Sequence, residues 1–306
     1  MRTKVNKNDS QSKRSFRLDE DFVLKFIAYV FISAFTCLML YPLIFVLSAS
    51  ISDPNEVAAG RVVFLPKGIN IEAYKLLFKN SAIWNRFLNS VIIVAGSVAS
   101  VLFTTLPAAY SLSQHAFKAR AKFTLFFTFT MFFSGGLVPG FILTRTLGLY
   151  DTRWSVILPA WSSAWLLMIA KNYFATIPQS LSEAAKIDGA NHFQILTNVY
   201  LPTVKPVIAV IALQSGVGAW NSYFSAMLYI PTASKQPIQL FLAQTILQNT
   251  QNQMMDGLMG MAQSSQDFSK LVKYAVVVAT IAPIMCLYPM LQKYLVGGVM
   301  IGSIKE

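Results

Sequence analysis

Long apolar runs alternate with shorter polar segments along this chain. Runs at Phe22–Ser50, Phe87–Ser113, Phe123–Leu143, Trp154–Ala170, Pro202–Phe224 and Leu271–Gln292 are 17 to 29 residues long, enough to cross a bilayer as a helix. The pattern predicts an all-α membrane protein with about six transmembrane helices. Residues 1–21 are polar and basic and predict a disordered tail, residues 22–293 the membrane domain, and residues 294–306 a second tail. The first run is too long for the core of a signal peptide, although Ser48-Ala49-Ser50 faintly resembles a cleavage site. Within the third run, FSGGLVPG places Gly135, Gly136 and Pro139 where they weaken a helix. Such breaks are tolerated where backbone lines a cavity or packs against other helices.

Three polar segments fall on one side: 51–86, 144–153 and the long, Gln- and Met-rich 225–270. The apolar stretch at Ile238–Leu247 is too short to span and predicts a re-entrant, interfacial or docking element. On the other side, residues 114–122 carry Lys118, Arg120 and Lys122 without an acid, which places that loop inside. The basic N-terminal tail lies two spans away on the same side, and an even number of spans returns the C-terminus there.

Composition narrows the function classes. Of 306 residues, 55% are hydrophobic and 12% charged, which excludes an ordinary soluble domain. The net charge of +12 sits mostly between spans, without a basic stripe or an RNA-binding signature, so it is a topology signal and not a nucleic-acid surface. Cys37 and Cys286 lie inside apolar runs and are expected as small core residues, not as a disulfide or metal pair. His115 and His192 lack ligand-spaced partners and are expected to be solvated. Neither a catalytic centre nor a metal site is predicted. The span interiors hold almost no ionisable residue, which argues against an ion-coupled transporter or a cation channel with acidic rings. The G-x-x-x-x-G-K-[ST] pattern is absent from the sequence, so the chain has no ATPase of its own.

One polar stretch interrupts the apolar runs with a distinct design: Glu183–Pro202, EAAKIDGANHFQILTNVYLP. Ser180 and Glu183 predict a capping box that starts a short helix after Pro178. Gly189 suits a left-handed stop. Asn191 and Gln194 predict the cap of a second helix with Ile195, Leu196 and Val199 on one face, and Pro202 fits the first turn of the next span. The loop, about 178–202, therefore reads as a bent helical pair at the membrane surface. Local physics alone allows Glu183 merely to cap its own helix and Ala184–Ala185 merely to pack closely.

The spaced set Glu183, Ala184, Ala185, Gly189, Leu201 and Pro202, with Val199 where Ile is usual, resembles the EAA loop of permease subunits in binding-protein-dependent ABC importers. GLYDTRWSVILP (Gly148–Pro159), WNSYF (Trp220–Phe224) and the tail Tyr288–Glu306 are similar to carbohydrate-uptake permeases, above all the branch for lipo-oligosaccharides and complex polysaccharide fragments. The resemblance implies a type I ABC importer permease fold with a cytoplasmic coupling helix, in the cell membrane, with both termini cytoplasmic. It implies a homologous second permease in a heterodimer, two ATPase subunits carrying ATP and Mg, an extracellular substrate-binding protein and a carbohydrate substrate, with no cofactor on this chain. It also implies alternating access driven through the loop. Glu183 would bond to the ATPase, Ala184 and Ala185 would fit its groove, Gly189 would supply the bend, and Asp188, Leu201 and Pro202 would complete the coupling surface. Segment 225–270 would reach the binding protein. Gln214, Trp220, Asn221 and Tyr223 are candidate sugar contacts, because aromatic faces stack on sugar C–H groups and amides bond hydroxyls; an interfacial aromatic belt is the alternative. A peptide-importing permease and a multi-span scaffold or channel whose loop anchors a peripheral protein are the other readings.

Overall fold

The computed structural model describes residues 8–247, 272–286 and 289, with side chains from residue 22 onward except that of Ser162. Helices and turns make up these residues, and no strand occurs among them. They fall into two units, residues 8–73 with 272–275, and residues 74–247 with 276–286 and 289.

In the first unit α1 (Asn8–Ser50) contains the first apolar run, whose mean hydropathy reaches 2.4. The helix begins well inside the stretch expected to be a disordered tail. Residues 8–21 contain no Gly or Pro to interrupt a helix, so they extend one already nucleated by the span. After α1 the chain turns through α2 (Pro54–Ala58), whose cap Asp53 accepts the Asn55 N–H at 2.8 Å. Ser48 donates to the Phe64 carbonyl at 2.6 Å, and Tyr41 meets Phe64 edge to face, so this turn folds back on the helix end.

α3 (Glu72–Lys79) leads into α4 (Ser81–Ser113), the axis of the second unit. Its 33 residues span about 50 Å. It starts six residues before the predicted Phe87 and so brings Arg86 into the helix, where the guanidinium lies 4.8 Å from the centre of the Phe241 ring. Val101, Leu106, Ala109, Tyr110 and Leu112 form one core with side chains from the later helices. Small residues set the packing distance: a Cβ on Gly96 would sit 2.9 Å from Ile157, and one on Gly216 would sit 3.4 Å from Val98.

The predicted third span is two helices, α5 (Arg120–Phe132) and α6 (Leu137–Thr146), bent by 113°. The bend falls at the glycine pair, where Gly136 has φ +83° and ψ 177°, a region open essentially to glycine alone. The fourth predicted span, Trp154–Ala170, is also interrupted. α7 (Trp154–Ile157) passes into a 3-10 turn (Leu158–Ser162) containing Pro159, and Ser163 then caps α8 (Ala164–Phe174) by accepting the Leu166 N–H at 3.3 Å. Proline cannot donate into a helical ladder, which is why the run does not continue as one α-helix.

A polar hairpin of α9 (Gln179–Ile187) and a second helix, His192–Thr203, follows. The second helix comprises α10 (His192–Gln194), a π-helical stretch (Ile195–Tyr200) and α11 (Leu201–Thr203). An 84° bend at Val204 separates it from α12 (Lys205–Trp220). Pro202 therefore belongs to the hairpin; Pro206 holds the first turn of the span instead. α13 (Tyr223–Tyr229), α14 (Ile238–Leu247) and α15 (Val272–Cys286) complete the described helices. Both cysteines are exposed, contrary to the expectation that they fill the core. An exposed position on an apolar membrane helix faces lipid or a partner, which a thiol tolerates. The tail 294–306 and residues 248–270 of the long segment 225–270 lie outside the described residues.

Candidate functional site

The hairpin is fixed at its turn by two complementary caps. Gly189, at φ +81°, stops α9. Its N–H bonds the Lys186 carbonyl at 3.0 Å and the Ala190 N–H bonds the Ala185 carbonyl at 2.9 Å, the paired closure of a Schellman motif. Two residues on, the Asn191 side chain accepts the Gln194 N–H at 2.9 Å and the Gln194 side chain accepts the Asn191 N–H at 2.8 Å, a complete capping box. The other expected box does not form. α9 begins at Gln179 with Pro178 at its cap, so Ser180 already lies inside the first turn and bonds no cap position. Glu183 is exposed and has no hydrogen-bond partner among the described residues, which leaves its carboxylate available to another molecule.

Ala184, Asp188 and Gly189 share that exposure, Ala185 is half-buried, Leu201 is half-buried and Pro202 exposed. Two apolar side chains missed in the sequence stand out here: Ile187 is 86% exposed and Phe193 73%. They are the most exposed large apolar side chains of the hairpin, ahead of Leu181 at 46%. The opposite face is anchored. Ile195, Leu196 and Tyr200 are buried, Tyr200 packs edge to face on Tyr110 at 4.9 Å and against Phe174, and its hydroxyl accepts from the Gln114 amide at 3.1 Å. The Tyr110 hydroxyl lies 3.1 Å from His192 Nδ1. The end of α4 and the loop that follows it are thus tied directly to the hairpin.

The other end of α4 carries a polar lattice. Asn89 Oδ1 accepts two bonds from the Arg153 guanidinium, at 3.0 and 2.7 Å, while its amide donates to the Ser234 and Gln236 carbonyls at 2.8 and 3.1 Å. Beside it Asp151, a non-glycine residue at φ +57°, pairs with Lys235 at 2.6 Å and accepts the Thr232 hydroxyl at 2.8 Å. Bonds from the Lys235 ammonium and the Thr232 hydroxyl hold its carboxyl below the usual carboxylate value. These contacts account for much of the GLYDTRW segment: Gly148 turns the chain at φ +69°, Asp151 ties down residues 232–235, and Arg153 bonds α4.

Between these ends, a cavity of about 310 Å³ opens among α4, the 3-10 turn and α12. Gln214 lines it, as do Ser97, Ser163, Trp165 and Ser215, none of which the sequence singled out. Their signal was faint: small hydroxyl residues inside apolar helices, and the pair of tryptophans in WSSAW. The other sequence candidates lie elsewhere. Trp220 is 6% exposed, donates its indole N–H to the Thr280 carbonyl at 3.1 Å and meets Phe87 edge to face. Asn221 is the exposed C-cap of α12, within 3.4 Å of the Gln239 amide, and Tyr223 is exposed on α13.

Comparison with known proteins matches residues 78–300 to the family described as binding-protein-dependent transport system inner membrane component. Over 277 residues the chain is 35% identical to the polygalacturonan/rhamnogalacturonan transport system permease protein YtcP of Bacillus subtilis, covering 90% of this chain and 96% of that one. It is 34% identical to Protein LplC of the same organism, over 90% and 92%. Among solved structures, a chain from a bacterial ABC transporter involved in the import of the acidic polysaccharide alginate superposes with a TM-score of 0.79, at 34% identity over 90% and 97%.

Proposed function

Because the chain belongs to the family of binding-protein-dependent transport system inner membrane components, we propose that it is one of two permease subunits of an ATP-driven importer of oligosaccharides. The chain is a permease and not an ATPase; ATP and Mg reside on partner ATPase subunits. A homologous permease completes the path, and an extracellular binding protein delivers the sugar. The carbohydrate substrate rests on the polysaccharides for which YtcP and the alginate transporter are described.

One observation carries this reading: the hairpin of α9 and α10 presents Glu183, Ile187 and Phe193 outward while Tyr110 and Gln114 tie its inner face to α4. Such an element takes up a push from a soluble motor and delivers it to the helix that lines the cavity. The basic loop opening at Gln114 meets the hairpin through Tyr200, and the positive-inside argument and the motor's need for ATP support a cytoplasmic position for both. Both termini are then cytoplasmic, and the Asn89–Arg153–Asp151 lattice faces outward, toward the binding protein. Alternating access follows: closure of the ATPase pair moves the hairpin, α4 moves with it, and the cavity changes its open side.

The decisive experiment uses the complex assembled with a second permease, its ATPase and its binding protein. Glu183→Ala and Gly189→Trp are expected to lower assembly or binding-protein-stimulated ATP hydrolysis while the chain still inserts. Parent-like assembly and hydrolysis in both variants would favour the scaffold reading.

A further inference from the structure

Three adjoining clefts, of about 310, 390 and 670 Å³, share Ser163 at the start of α8. Volumes of this order are those of small-molecule sites, roughly 300–1,000 Å³. Their lining is neutral throughout: hydroxyls, one amide, aromatic rings and aliphatic groups, without one charged side chain.

The smallest cleft holds polar groups that the fold leaves unused. The Ser97 and Ser215 hydroxyl oxygens are buried and have no hydrogen-bond partner among the described residues, and Ser97 as a whole is fully buried. A buried hydroxyl is normally paired, so an unpaired one needs an explanation, and a ligand is one. Gln214 extends into the same cleft, exposed, with an amide that can both donate and accept. Ser163 uses its oxygen to cap α8 and keeps its O–H free to donate. Trp165, 56% exposed, supplies a broad apolar face at the rim.

We propose that Ser97, Ser163, Gln214 and Ser215, with the Trp165 ring, form a binding site for one neutral pyranose unit of the transported glycan. This rests on the reading of the chain as an oligosaccharide permease and names its own contribution to recognition. A sugar ring offers what the cleft lacks: hydroxyls that donate and accept, and a C–H face for the indole. An ion is a poor fit for a neutral lining, and a lipid chain would leave both serines unpaired. The neutral lining has a second consequence. This chain supplies no counter-charge to a carboxylate here, so an acidic glycan passes by its hydroxyls on this side and meets any cation elsewhere in the complex.

The test is uptake into vesicles holding the full complex, with radiolabelled cellotriose and trigalacturonate as probes and sugar imported per ATP hydrolysed as the readout. Gln214→Ala and the Ser97→Ala/Ser215→Ala pair are each expected to lower that ratio about tenfold, the scale of one or two lost hydrogen bonds. Trp165→Phe is expected to retain more transport than Trp165→Ala. Gln214→Glu is expected to depress trigalacturonate uptake more than cellotriose uptake, because it places an anion against an anion. A parent complex that imports neither probe sinks the oligosaccharide reading and the site with it. If the parent imports one and the alanine variants match it, the site alone is wrong. Loss of the assembled complex in the variants would equally overturn the proposal, by giving these residues a structural role.

Discussion

Single residues decide how the hairpin turns, and several of them were readable in advance. Gly189 and the Asn191–Gln194 box are local features, set by backbone sterics and by neighbours within three residues, and they occur where the sequence put them. The Ser180–Glu183 box failed for an equally local reason: Pro178, already in an extended conformation with ψ 132°, takes the cap and starts the helix early. Replacing Asn191 with Ala removes one half of a reciprocal cap and is expected to cost about 1 kcal/mol of local stability. Faster hydrogen exchange at the amides of residues 193–195, with α4 unchanged, would show it. Asp151 gives a prediction in pH. Its carboxyl titrates below the ordinary value of 3.8, so the Lys235 tie is whole at neutral pH and is lost only as acidification passes through that lowered value. The parent's advantage over Asp151→Asn in thermal midpoint in detergent should be constant from pH 8 to pH 5 and should shrink below about pH 4.

Elements were harder to read than residues, because apolar runs report burial and not continuity. Glycine and proline at FSGGLVPG announced a break, and the chain bends there by 113°. The interruption at Leu158–Ser162 was missed, since Trp154–Ala170 is apolar enough to pass for one helix and only Pro159 argues otherwise. The bend at Val204 was missed for the same reason: Pro202 and Pro206 both suit a first turn, and the sequence does not choose between them. The contact of the hairpin with α4 is long-range and left no mark in the pattern at all. Tyr200 is its centre, 2% exposed between Tyr110 and Phe174. Tyr200→Ala is expected to cost roughly 3–5 kcal/mol, the range for emptying a large aromatic from a core. The check is a lowered thermal midpoint together with rapid proteolysis at residues 188–204, and Tyr200→Phe should recover most of both.

For the whole molecule, function lies in surfaces that this chain cannot satisfy by itself. Spacing singled out Glu183, Ala184 and Gly189, all of which are exposed, whereas Ile187 and Phe193 became visible only once the turn pointed them outward. Aromatic side chains on a docking surface tend to carry most of its energy, at 2 kcal/mol or more on truncation. Phe193→Ala is therefore expected to weaken assembly with the ATPase about thirtyfold or more, measured by titrating the purified ATPase against the permease pair in detergent. Undiminished affinity would remove Phe193 from the docking surface. The cavity was the least legible part. Its serines come from α4, the cap of α8 and α12, and the sequence could not tell which tryptophan faces inward; Trp220 is spent on Thr280, while Trp165 is open.

The π-helical stretch Ile195–Tyr200 acts as a phase-setter. It fits an extra residue into the helix without breaking it, so everything ahead of it is rotated relative to the buried side of the same helix. One residue corresponds to about 100° of turn. Deleting a single residue between 195 and 200 would close the bulge and swing Phe193 and the turn at Gly189 around the axis by that angle, with the spans untouched. Such a chain would meet its motor more weakly, and the two would mesh in the wrong orientation. It would behave like a gear whose teeth are intact and whose key has slipped, hydrolysing ATP without moving sugar.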